Sequence, residues 1–158
     1  MVLWFVGTAI VTVRFVFQDP RFDYRLLIVG AVLPLADGVL GPLRVLHTLA
    51  FSLLALLVVM LATRRGGSAR RLWLGLPIGL LLHLVFDGAW TDPDLFWWPV
   101  GGLSFDDAEL PERARGWWSV ALDVAGLAML VWVWRTSELS RPPRRHRFWT
   151  SGQLFEAL

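Results

Sequence analysis

The sequence predicts an all-α protein, a polytopic transmembrane helical bundle of four to five spans whose second segment is broken by proline and glycine. Hydrophobic residues make up 56% of the 158-residue chain, and its mean hydropathy is positive. Apolar runs approaching the ~20 residues that a helix needs to cross hydrocarbon recur from end to end. A soluble globule of this length carries neither that apolar share nor ten tryptophans. The chain has no cysteine, which excludes disulfides and thiolate chemistry, so any metal must be held by nitrogen and oxygen.

Residues 2–17 form the first span, ended by Gln18, Asp19 and Pro20. No basic segment precedes it and no small-residue cleavage site follows, so it reads as a retained span and not a signal peptide. Residues 26–43 form the second, interrupted by Gly30, Pro34, Gly38, Gly41 and Pro42. Irregular backbone persists at membrane depth only where protein or water satisfies the freed polar groups, so a site is expected there. Residues 45–62, 72–90 and 117–134 complete a transmembrane domain over 1–134, and 135–158 form an Arg-rich tail.

Charge gives the orientation. All fifteen basic residues are arginine, and Arg64, Arg65, Arg70 and Arg71 crowd one linker while Arg135, Arg141, Arg144, Arg145 and Arg147 crowd the tail. Both segments should be cytoplasmic by the positive-inside bias. The loop from Thr91 to Gly116 is then outside, with Asp92, Asp94, Asp106, Asp107, Glu109 and Glu112, and Trp90, Trp97, Trp98, Trp117 and Trp118 bracket it as an interfacial belt. If 26–43 crosses, there are five spans with the N-terminus outside; if it dips and returns, there are four. The tail RTSELSRPPRRHRFWTSGQLFEAL reads as a mobile cytoplasmic extension touching anionic lipid, with His146 solvated.

Ionisable groups in a bilayer cost about 3 kcal/mol or more, so they tend to face the bundle interior and to serve a function. Here they are Arg14, Asp37, His47, His83, Asp87 and Asp123. His83 and Asp87, four apart, share one helical face, where they can grip one metal ion, act as an acid/base pair, or bond each other for packing alone. At about 1.5 Å per residue, His47, His83, Asp87 and Asp123 fall at one level in the outer half, and Asp37 joins them if 26–43 crosses from the inside. Arg14 falls near the inner end, where it can snorkel to water. Two imidazoles and two or three carboxylates at one depth suit zinc, manganese or another first-row divalent ion. Without a cation the carboxylates would repel one another or take up protons. Asp123, alone on its helix, reads as a ligand, as a histidine-orienting group or general base, or as a helix–helix hydrogen-bonding group.

Three separated stretches, GAVLPLADG, RVLHTLAFSLL and GLLLHLVFDGAWTDPDLFWWPVG, occur in that order. Together they resemble the membrane-bound metal-dependent hydrolases of bacterial inner membranes, a family with a LexA-regulated member. That pattern has an LPDxD-like turn, a His-Thr/Ser step opening the next helix, and an HxxxD helix followed by an aromatic WP. The resemblance covers about residues 23 to 101. It implies Asp37, His47, His83 and Asp87 as metal ligands and, through a distant likeness to zinc-dependent phospholipase C and P1-type nucleases, phosphoester hydrolysis. Leu35 stands where the family often has the first Asp of its turn, and the first span lacks the His that many members carry. These departures leave a single ion, or a relative without catalysis.

The expectation is therefore an integral inner-membrane hydrolase with its C-terminus in the cytoplasm and a divalent metal, zinc before manganese, near the outer leaflet. Asp123 would orient a histidine or act as general base, and the substrate would be a lipid or lipid-linked phosphoester. Membrane lipids are the expected partners, and no nucleic acid is expected. The rival readings are a small ion or proton pathway through the same residues and a catalytically silent scaffold.

Overall fold

The structure is a computed structural model that describes residues 1–40, 44–100, 102 and 115–155. The expected acidic loop residues Asp106, Asp107, Glu109 and Glu112, and Gly41 and Pro42 of the broken segment, lie outside the described residues. Every regular element among those described is helical.

Helix α1 (Val2–Phe17) is apolar throughout and stops where Gln18 turns left-handed, φ 51°, ahead of Pro20. Helix α2 (Tyr24–Val32) starts at Asp23, whose carboxylate accepts the Arg25 amide at 3.0 Å. It tightens into a 3-10 turn over Leu33–Ala36, where Pro34 brings no amide hydrogen. A short helix α3 (Asp37–Leu40) and a second 3-10 turn (Val45–His47) follow. Helix α4 (Leu49–Ala62) is capped by Thr48, whose hydroxyl oxygen accepts the Phe51 amide at 3.1 Å. Helices α5 (Ser68–Trp73) and α6 (Gly75–Asp87) continue one into the other. A 3-10 turn (Ala89–Thr91), helix α7 (Pro93–Phe96), helix α8 (Trp118–Thr136) and helix α9 (Pro142–Ser151) complete the chain.

Two helical stretches, Ser68–Asp87 and Trp118–Thr136, are long and apolar enough to cross a membrane. Three more, Val2–Phe17, Tyr24–Ala36 and Leu49–Ala62, are apolar but shorter. A span count of four or five thus exceeds what helix length and composition give. The fourth stretch begins at Ser68, ahead of the expected Leu72. Its two arginines fit the first turns because Arg70 reaches back to the carbonyls of Met60 and Thr63 at the end of α4.

The helices run up and down. Trp4 and Phe5, early in α1, meet Phe86 and His83, late in α6. Phe15, late in α1, stacks on Trp132, late in α8. Helices α2 and α6 lie side by side in the same direction, and they approach closely because a Cβ on Gly79 would collide with the Leu27 carbonyl and the Ala31 amide. The core is built on Phe5, Ile10, Val13, Tyr24 and Leu27.

The tail is not the free extension expected from its polarity. It folds back under the bundle, where the Tyr24 amide donates to the Gly152 carbonyl at 2.9 Å and Arg25 Nη1 to the Trp149 carbonyl at 2.9 Å. Gly152 sits at φ 72° against the Asp23 carboxylate, a place with no room for a Cβ. Leu154 and Phe155 thereby join the core. Arg14 does not simply snorkel either: its guanidinium lies 4.5 Å over the Phe155 ring. His146 is exposed, as expected.

Candidate metal centre

His47, His83 and Asp87 converge at the opposite end of the bundle from the folded-back tail. Each offers one ligand atom, and these atoms lie within 4.8 Å of one another. All three side chains are essentially removed from solvent, at 0%, 1% and 0% exposure, where an unpaired charge costs several kcal/mol. Each is positioned by an identifiable local cause.

His47 ends the 3-10 turn just before the Thr48 cap of α4, so the cap fixes where the imidazole leaves the backbone. Asp37, buried at the start of α3, places one oxygen 3.2 Å from the His47 amide and 3.0 Å from its Nδ1. An ionised carboxylate only accepts, so Nδ1 carries the proton of this bond, and in the neutral ring Nε2 presents a lone pair.

His83 is set by the break in α2. In a 3-10 turn the amide at position 34 would donate to the carbonyl three residues back, that of Ala31, but Pro34 has none to give. The Ala31 carbonyl instead takes the His83 Nδ1–H at 2.7 Å. That bond fixes the same tautomer, again with a bare Nε2. Phe5 stacks on the His83 ring at 3.9 Å and 27°, holding its plane. The two imidazoles meet edge to face, 5.2 Å between centroids at 80°.

The result is two buried Nε2 atoms with no hydrogen-bond partner among the described residues. Buried polar atoms are normally satisfied, and a matched pair facing one carboxylate is a set that could hold a cation. The Asp87 Oδ2 to His47 Nε2 separation of 3.8 Å is too long for a hydrogen bond. It is near the ~3.3 Å that a tetrahedral ion with bonds of ~2.0–2.1 Å sets between its ligands. Two imidazole nitrogens and one carboxylate oxygen fit a first-row divalent ion, and three protein ligands leave a fourth position for water or substrate, as in catalytic zinc sites.

The expected residues therefore divide. His47, His83 and Asp87 are brought together, and Asp37 stands behind His47 as its hydrogen-bond acceptor. Asp123 is placed elsewhere: its carboxylate accepts the Trp4 amide at 3.2 Å and lies 3.2 Å from the Met1 amino nitrogen, serving the first turn of α1. Sequence reasoning missed Arg115. Its Nη1 lies 3.0 Å from Asp87 Oδ1, and its Nη2 also donates to the Asp87 backbone carbonyl, one of the carbonyls left over at the end of α6. The mixed-charge stretch ERARG that holds it gives no sign of this reach. No family model, no curated protein and no solved structure matches the chain.

Proposed function

We propose that the chain is an integral membrane, metal-dependent hydrolase that cleaves a phosphoester in a lipid or lipid-linked substrate. The observation that carries this reading is the pair of imidazoles, each with Nδ1 committed to an oxygen and each with a buried, unsatisfied Nε2, facing the Asp87 carboxylate.

The membrane setting follows from exposed apolar surface. Leu53, Leu54, Leu57, Val58 and Leu61 on α4, and Val120, Val124, Leu127 and Val131 on α8, all face outward. Apolar surface of that extent suits lipid and not water. The alternation of α1, the α2–α3 segment, α4, α5–α6 and α8 supports five spans. Of the described arginines, only Arg44 and Arg115 lie at the end holding the cluster. The positive-inside bias then puts the tail in the cytoplasm and the cluster toward the outer leaflet of a bacterial inner membrane.

A bound divalent ion, zinc before manganese, supplies Lewis acidity and makes water acidic enough to react near neutral pH. The protein's own groups do the rest. His47 and His83 would hold it through Nε2, and Asp87 would add negative charge. Asp37 and the Ala31 carbonyl keep each imidazole in the ligating tautomer, as supporting hydrogen bonds do at metal sites. Arg115, 24% exposed beside a fully buried Asp87, would offer a planar guanidinium to phosphate oxygens. A site near the outer leaflet would suit a substrate that arrives sideways through the lipid.

A second reading is favoured by the same arginine. Because Arg115 already balances Asp87, a catalytically silent bundle needs no metal charge. Elemental analysis of detergent-purified protein separates the two. Stoichiometric zinc or manganese in the wild type, absent from His47→Ala, His83→Ala and Asp87→Ala, together with phosphodiester turnover lost in the same variants, is expected. A folded wild type that takes up neither ion leaves the silent bundle.

A further inference from the structure

At the end of the bundle remote from the histidines, a cavity of about 400 Å³ opens between the start of α2, the start of α5 and the returning tail. Its charged lining is Arg21, Asp23, Arg25 and Arg71, with Ser68, Ser151 and Gln153 as neutral polar groups. Arg25 is fully occupied: it closes a two-pronged pair with Asp23, Nε to Oδ1 at 3.0 Å and Nη2 to Oδ2 at 2.6 Å, and donates onward to the tail. That pair cancels the one carboxylate in the lining. Arg21 and Arg71 are exposed, and neither guanidinium makes a hydrogen bond or ion pair among the described residues. Two free guanidiniums therefore share one concave space whose other charges are already neutralised.

We infer that this cavity is a phosphate-binding site, with Arg21 and Arg71 as its cationic arms and the Ser68 hydroxyl as a neutral donor. Guanidinium forks match phosphate oxygens in geometry and charge. The phosphate can belong to an anionic lipid headgroup of the adjacent leaflet or to a free anion. The surroundings favour the lipid. Trp73 on α5 and Trp149 on α9 are both exposed at this level, as indoles are where headgroups meet hydrocarbon. The lipid source rests on the membrane reading above, whereas the site itself is independent of the metal centre. Because the tail forms one wall through Ser151 and Gln153, an occupant would tie the tail to α2 and α5.

The test is thermal unfolding of the full chain in detergent micelles carrying phosphatidylglycerol, diacylglycerol of the same chains, or inorganic phosphate alone. Metal content is measured on the same preparations, so failure of the hydrolase reading is seen separately. Phosphatidylglycerol should raise Tm by about 5 °C at a hundredfold excess over Kd, and diacylglycerol should not. Arg21→Gln and Arg71→Gln should each raise Kd about tenfold, which at the same lipid concentration roughly halves the Tm shift. Arg64→Gln/Arg65→Gln, which removes neighbouring exposed charge outside the cavity, should leave it intact. Protection by phosphatidylglycerol and not by inorganic phosphate supports the site with a lipid occupant, and equal protection by both supports it with a free anion. No protection by either, equal protection by diacylglycerol, an unaltered response in the Arg21→Gln/Arg71→Gln double variant, or equal loss in the Arg64/Arg65 variant overturns it.

Discussion

The two ends of the bundle handle charge in opposite ways. At one end Asp37, His47, His83 and Asp87 are all buried, and bonds that fix orientation run from His47 to Asp37, from His83 to the Ala31 carbonyl and from Arg115 to Asp87. At the other end, Arg21, Arg64, Arg65 and Arg71 stand in the open. Desolvating a charge costs several kcal/mol, whereas an exposed guanidinium costs almost nothing. A cluster maintained against that cost, with two buried imidazole nitrogens lacking a hydrogen-bond partner among the described residues, could hold a metal ion. The open arginines carry no such cost.

Asp87→Ala should break this contrast most severely. It removes a ligand and strands Arg115, so metal should fall to background and stability by about 3–5 kcal/mol, the cost of breaking a buried pair; elemental analysis and chemical denaturation check both. Asp37→Asn is the subtler probe, since it weakens the acceptor behind His47 without touching the ion. A loss of metal affinity of about 10–100-fold is expected, measured by competition with a chelating dye. Arg115→Gln should tighten metal binding, because a competing cation leaves Asp87, while lowering turnover of an anionic phosphodiester by about tenfold. Opposite signs in the two assays are the outcome to look for. Asp123→Asn, at the same level but bound to the start of α1, should cost about 1 kcal/mol of stability and no metal. Arg64→Gln, at the open end, should stay within about 0.5 kcal/mol of wild type.

Much of this was legible in the chain. The apolar runs located the long helices, and the four-residue step from His83 to Asp87 put both on one face. The Pro34 break marked where a backbone carbonyl would come free, although only coordinates could name Ala31 and pair it with His83. Other features were hidden for physical reasons. The reach of Arg115 depends on a loop path that periodicity does not encode. Asp123 was read as a candidate for chemistry because a lone carboxylate in an apolar helix looks costly. Its partners are backbone nitrogens of α1, and sequence patterns do not record those. The tail looked unanchored because Leu154 and Phe155 follow a run of arginines and prolines; two apolar side chains and Gly152 suffice to dock it.

Helix α4 is held differently from its neighbours: its main support is α6, while its outer face is bare leucine and valine. The imidazole of His47 hangs at its upper end, on the turn that leads into it. A helix clasped along one side swings more easily than one wedged between two, and a swing here would carry one ligand away from the other two. One of the three candidate ligands therefore rests on the turn into the helix braced on one side only, so an ion held there would also brace α4.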